Sequence, residues 1–217
     1  MKLSKNKKLI LATSTKNDGN MSLFKGDPKN VVKNREKFLE GLGLNIQKIV
    51  VLKLIHKSNV HLATKKDLGK GSFDKTTAIP KDALITNVKG IYLFLLTADC
   101  LPIAVYDDVN QAIGLIHASR HNINSIIGTT IKKMALEFKT KPKDLVFEIG
   151  PSIGPCHYNQ DIWTEAQKQV VAFGVEKKNI YNDKTCTYSE NYYSHREFTE
   201  KELNEDNRIA TVFGLKE

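Results

Sequence analysis

Cys100 and His117 end two apolar runs within one stretch, TADCLPIAVYDDVNQAIGLIHAS, residues 97–119. Apolar strands normally stop at turn-forming residues, so a thiol and an imidazole at two such ends are groups presented to something. Two chemistries suit the pair. A thiolate beside an imidazole is a nucleophile with its base. A thiolate and imidazoles together are also a donor set for a divalent ion such as Zn²⁺. The same residues fit a third reading, in which the cysteine packs as a small hydrophobe and the histidine caps a strand. Positions 100 and 117 are too far apart for a local zinc-finger pattern.

What must position them is a hairpin. If DDVN at 107–110 is a four-residue loop, Tyr106 faces Gln111 and Cys100 lies opposite His117, on one face of the sheet. A loop one residue longer or shorter would put them on opposite faces.

Around that hairpin the chain alternates strands and helices. KLILATST is a short strand, and DGNMSLFKGDPKN a loop whose Asp27 and Pro28 open a helix over 31–44, ended by Gly41 and Gly43. IQKIVVLKLIH is a β-rich run ending in His56, and residues 61–81, polar and rich in Lys and Gly, read as a mobile surface loop. IYLFLLTADC has the near-continuous apolarity of a strand buried on both faces. Helices are expected over 125–138 and 161–174, with a strand running into a Gly/Pro elbow, DLVFEIGPSIGPCHY, between them. From about residue 197 a charged, frayed tail is expected. The order predicts an α+β fold, a single domain over 1–217 with mixed central sheets flanked by helices.

Composition limits the partners. The net charge of +9 would attract phosphates or nucleic acid, but only Arg35, Arg120, Arg196 and Arg208 are arginines and the lysines are scattered, so no nucleic-acid partner is expected. No apolar stretch has signal or membrane-spanning length, which predicts a cytoplasmic protein without membrane association. Three cysteines, Cys100, Cys156 and Cys186, far apart and odd in number, favour free thiols or metal ligation over a disulfide frame.

TADCLPI followed by an IHA segment, then IGPSIGPCHY, preceded by DGNMSL, a GDP helix containing NR and an apolar run ending in histidine, resembles the multicopper polyphenol oxidase (laccase) family. That family is also called YfiH-like or purine nucleoside phosphorylase. The similarity runs from about Ala12 to Arg196. The resemblance implies a YfiH-like fold and a zinc site held by His56, Cys100 and His117, with His61 a competing first ligand and copper less expected than Zn²⁺. Three protein ligands leave a fourth position open, the pattern of a catalytic rather than a structural zinc. It further implies phosphorolysis of adenosine, inosine, guanosine and methylthioadenosine, hence a transferase, with hydrolytic deamination of adenosine as a hydrolase activity. The partners would be purine nucleosides and phosphate, in a monomer or homodimer. Catalysis would rest on Cys100, His117 and Arg35. Asn20, Ser22, Arg35 and Arg120 would bind substrate, and Asp99 could orient a ligand.

The chain also departs from the family. Ser119, Arg120, His121 and Asn122 stand where a glycine–tryptophan–arginine–glycine run is expected, with Arg120 one position before the family's arginine. Leu54 stands where a glutamine is expected before the first ligand, and Cys156 and His157 replace a cysteine pair. Cys156 reads as packing or near the site, and His157 as a satisfied polar residue rather than a fourth ligand. The rivals are a cysteine hydrolase or peptidoglycan-precursor editing enzyme using Cys100 and His117, and a non-catalytic zinc- or nucleoside-binding protein.

Overall fold

In the computed structural model, which describes residues 1–217, alternating side chains of two stacked sheets build the interior. The elements in chain order are β1 (Leu9–Thr13), α1 (Pro28–Glu40), β2 (Ile49–Val51), β3 (Val60–Leu62), β4 (Ala83–Thr86), β5 (Tyr92–Thr97), β6 (Leu101–Asp107), β7 (Ala112–Ala118), α2 (Ile123–Phe138), β8 (Leu145–Ile149), α3 (Ile162–Ala172), β9 (Ile180–Asn182), α4 (His195–Glu200) and β10 (Ile209–Leu215). One sheet has the order β1-β10-β5-β2, the other β3-β4-β7-β6-β8-β9, and both are mixed. This is the α+β single domain that the strand and helix order predicts.

Strand β5 is apolar throughout because both its faces are covered. Leu93 and Leu95 meet Ala104, Tyr106, Ile113 and Leu115 of the six-stranded sheet. Phe94 and Leu96 face the other way, into a cluster with Leu39 of α1. The outer face of the six-stranded sheet is covered by α2 and α3 through Ile126, Ile127, Met134, Ala166 and Val170. Helix α1 begins as expected, with the Asp27 carboxylate accepting the Asn30 N–H at 2.9 Å and Pro28 in the first turn. No helix is long and apolar enough to cross a membrane.

Three expectations are corrected. Residues 61–81 are not a free loop: Ala63, Asp67, Ser72, Ala78 and Ile79 are buried, and the Asp67 carboxylate gathers Lys70, the His61 ring and the Thr64 N–H. Its Lys65, Lys66 and Lys75 face solvent, while Asp67 and Ser72 turn inward and hold the segment to the fold. The end of the chain is not frayed, since β10 lies between β1 and β5 with all seven residues buried. The charged segment before it masked an ordinary apolar strand, IATVFGL. Finally, the β6–β7 loop is 108–111 rather than 107–110. Asp107 stays in the ladder opposite Ala112, its carboxylate accepts the Val109 and Asn110 N–H groups at 3.0 Å, and Gln111 makes the turn at φ 49°. His117 therefore pairs with Pro102, and Cys100 sits just before β6. The ladder ends at Leu101, so the place of Cys100 is set by the turn before β6 and not by strand alternation.

Candidate metal centre and cleft

Three chain segments bring a ligand each to one point. His117 is the penultimate residue of β7 and is 1% exposed. Cys100 is half-buried in the β5–β6 turn, which Asp99 makes possible by adopting φ 86°. His56 is exposed, in the loop after β2, at φ 56°. Ligand atoms of the three lie within 4.8 Å of one another, and the two imidazoles meet edge to face with centroids 4.9 Å apart.

Asp82, fully buried at the start of β4, organises two of these segments. Its carboxylate accepts the backbone N–H groups of His56 at 2.9 Å and Lys57 at 2.8 Å, and faces Nδ1 of His117 at 3.1 Å. Burial alone would raise the Asp82 pKa, but these donors outweigh it and hold the carboxyl below its ordinary value. With Nδ1 so engaged, His117 offers Nε2, a buried atom with no hydrogen-bond partner. Asn122 adds a second brace, giving hydrogen bonds from Nδ2 to the carbonyls of Lys57 and His117. Burial would raise the Cys100 thiol, yet the His117 and His56 rings outweigh it and pull its pKa down to about 6. Burial disfavours charge on His117, and the adjacent Cys100 and Asp82 outweigh that and raise its pKa. An orphaned buried imidazole nitrogen beside a thiol that ionises readily fits a metal ion, because binding takes up both free donors at once.

The cluster lies at a cleft of about 620 Å³. Arg120 and His121 line one side and Tyr158 and Ile162 another; His195, Arg196 and Glu200 come from α4. The Arg196 guanidinium sits 5.5 Å from the Tyr158 ring centroid and pairs with Glu200 at 3.1 Å. Asp99 fastens α4 to the Cys100 turn, its carboxylate accepting the Arg196 N–H and the Thr187 hydroxyl, both at 2.7 Å.

The structure does not bring the other expected residues here. Arg35 is 0% exposed beneath Phe94, and its guanidinium donates to the carbonyls of Met21 (2.7 Å), Gly71 (2.7 Å) and Ser72 (2.9 Å). Burial lowers its pKa to about 10. An arginine committed to three backbone carbonyls inside the fold does not reach phosphate in the cleft. Asn20 is likewise a turn-former, bonded through its side chain to Lys25, Ser22 and Arg208 backbone groups. The Ser22 hydroxyl, 2% exposed, accepts the Phe24 N–H at 3.2 Å. His61 is held by Asp67 at 3.1 Å and stands outside the cluster. Of the expected substrate-binding residues, Arg120 alone lines the cleft. Asp82 and Tyr158 escaped sequence reading; an aspartate before a strand and a tyrosine after an elbow carry no local signature.

The multi-copper polyphenol oxidoreductase laccase family matches the chain over residues 10–160 and 157–215. The chain belongs to this family. Among the family's members it resembles, the purine nucleoside phosphorylase YlmD of Geobacillus stearothermophilus is 31% identical over 212 residues, covering 82% of this chain and 77% of its own. The purine nucleoside phosphorylase YlmD of Bacillus subtilis is 28% identical over 255 residues, covering 98% of this chain and 90% of its own. The crystal structure of the Geobacillus protein superimposes with a TM-score of 0.92 at 27% identity, covering 97% of this chain and 93% of that one. Within this laccase-like frame, the departures at Ser119–Asn122 fall on the turn beside the third histidine. There Ser119 and Asn122 bond to each other while Arg120 and His121 face the cleft.

Proposed function

We propose that this chain is a zinc-dependent purine nucleoside phosphorylase, with His56, Cys100 and His117 as the metal ligands. The observation that carries it is the buried, partnerless Nε2 of His117 beside Cys100 and His56 at a cleft with two arginines. Relatives named as purine nucleoside phosphorylases support the reaction class. One thiolate and two imidazoles suit Zn²⁺. The same set occurs in electron-transfer copper sites, but here it opens on a substrate-sized cleft, the open position a catalytic zinc keeps.

Bound there, zinc supplies a fixed positive charge that stabilises negative charge developing on a substrate atom. The chain's own residues supply the rest. Asp82 keeps the His117 proton on Nδ1, so that Nε2 points to the cluster as an electron-pair donor. Arg120 and Arg196 give the cleft the cationic donors a phosphate dianion needs, taking the part expected of Arg35. Tyr158, with Ile153 and Ile162, presents an aromatic and aliphatic wall suited to a purine ring. In the reaction a phosphate oxygen bonds to the ribose C1′ as the bond from C1′ to the purine nitrogen breaks. The electron pair leaves with the base, which takes up a proton. Adenosine deamination is a secondary activity of the same site.

The test is phosphate-dependent release of free base from inosine and adenosine, with zinc counted per chain, in wild type and Cys100→Ala. Base release that requires phosphate and disappears with the metal in Cys100→Ala is the expected result. Adenosine converted to inosine without phosphate would make deamination the principal activity. Zinc bound with no turnover would leave a binding protein, and turnover by a metal-free chain would return Cys100 to the role of nucleophile.

A further inference from the structure

A second cluster of soft ligands lies outside the cleft. Cys156 and His157 in the elbow after β8 meet Cys186, thirty residues later in sequence, with ligand atoms of all three within 4.8 Å of one another. Nδ1 of His157 is 3.2 Å from the Cys156 sulfur and 3.8 Å from the Cys186 sulfur. Tetrahedral zinc, with Zn–S about 2.3 Å and Zn–N about 2.0–2.1 Å, separates a nitrogen from a sulfur ligand by about 3.6 Å. The observed spacings bracket that value.

The surroundings are built for ligation. The Gly154 N–H donates to the Cys186 sulfur at 3.3 Å, the kind of hydrogen bond that supports a thiolate. Gly154 makes this approach because it has no side chain: a Cβ there would lie 2.4 Å from the Trp163 ring. The His157 ring is held flat on Tyr188, centroids 4.1 Å apart and planes 15° apart, which fixes the direction of Nδ1. The Ser189 hydroxyl lies 3.4 Å from Nδ1. A Cys156–Cys186 disulfide would account for the two sulfurs alone; it gives no reason for an oriented imidazole in contact with both.

We propose that Cys156, His157 and Cys186 form a second zinc site, with its fourth position left to solvent, which fastens the elbow at 150–158 to the segment 185–189. Both segments serve the cleft: the elbow carries Ile153 and Tyr158 in its wall, and Thr187 holds the Asp99 carboxylate. The ion would set the wall against the Cys100 turn without touching substrate.

Full-length protein is loaded with excess Zn²⁺ under reducing conditions, desalted and analysed for zinc per chain. Wild type is expected to retain two equivalents, and Cys156→Ser, His157→Ala and Cys100→Ala one each. A Cys156→Ser, Cys100→Ala double variant is expected to retain none. Cys156 is exposed and His157 half-buried, so their replacement leaves the core intact, as circular dichroism would verify. Cobalt loading gives a second readout: thiolate-to-metal absorption should fall in Cys156→Ser while the Cys100-dependent part remains. Equal zinc in wild type, Cys156→Ser and His157→Ala would overturn the proposal, as would a Cys156–Cys186 disulfide persisting in wild type through zinc loading under those reducing conditions. Retention of the Cys156-dependent ion together with no Cys100-dependent ion would instead remove the cleft metal and leave this site standing.

Discussion

Asp82 grips His117 twice, its backbone carbonyl accepting the His117 N–H at 2.8 Å and its carboxylate facing the ring Nδ1 at 3.1 Å. Strand pairing and ring orientation are thus set by one residue, which also holds the backbone of His56. Hydrogen bonding within the protein orients two of the candidate ligands, the kind of support that holds metal-binding side chains in place.

Replacing Asp82 with Asn should therefore weaken the metal without unfolding the protein. The amide is nearly isosteric but does not enforce the Nδ1–H tautomer. Zinc affinity should fall about 10–100-fold, measured by competition with a chromophoric chelator. An affinity equal to wild type would show that Asp82 has no part in orienting His117.

Stripping the metal should expose a thiol of unusual acidity. Cys100 ionises as the pH rises through about 6, so its alkylation by iodoacetamide should already be half-maximal near that pH. Peptide mass mapping separates this reaction from those of Cys156 and Cys186. Added Zn²⁺ should protect Cys100, and a midpoint in the ordinary thiol range would contradict the His117–Cys100 coupling described above.

Arg120→Ala and Arg196→Ala should act on phosphate rather than on nucleoside. Loss of a hydrogen bond to a charged group is worth about 1.5–3 kcal/mol, a fall of about 10–150-fold in kcat/KM for phosphate. Steady-state kinetics with phosphate varied at fixed inosine checks this. An effect confined to the nucleoside KM would place the phosphate elsewhere.

Arg35→Lys should give the opposite pattern, a less stable protein with its zinc intact. Lysine cannot reproduce the fork that satisfies Met21, Gly71 and Ser72, and a buried group left without its partner costs about 1–3 kcal/mol. Urea denaturation alongside zinc analysis separates the two quantities. Zinc loss at unchanged stability would tie Arg35 to the site.

Strands legible in the sequence were those whose surroundings are uniform along their length, such as β5, apolar because both faces are covered. Helix α1 was readable from its cap, Asp27, and α2 and α3 from their apolar spacing, which packs Ile126, Ile127, Met134, Ala166 and Val170 into the core. Segment 61–81 was opaque because part of its order comes from distant partners: beside the local network of Asp67, Arg35 lies 36 positions from Gly71. Asp82 was missed for the same reason, since its value lies in contacts 25 to 35 residues away on both sides. The hairpin was misplaced by one position, which a strand with polar residues at its tip does not resolve: His117 pairs with Pro102, and Cys100 reaches it from the turn before β6.

Strand β10 follows all the others in the chain and still occupies the middle of its sheet, between β1 and β5. A ribosome that has not yet released Ile209–Leu215 therefore holds a nascent chain with two unpaired, strongly apolar strand edges, at β1 and β5. The six-stranded sheet, with its β4–β7 and β6–β7 ladders, can form before that point. The four-stranded sheet must wait for β10 to slot in, making the interval between the emergence of β5 and that of β10 a period of exposure to aggregation.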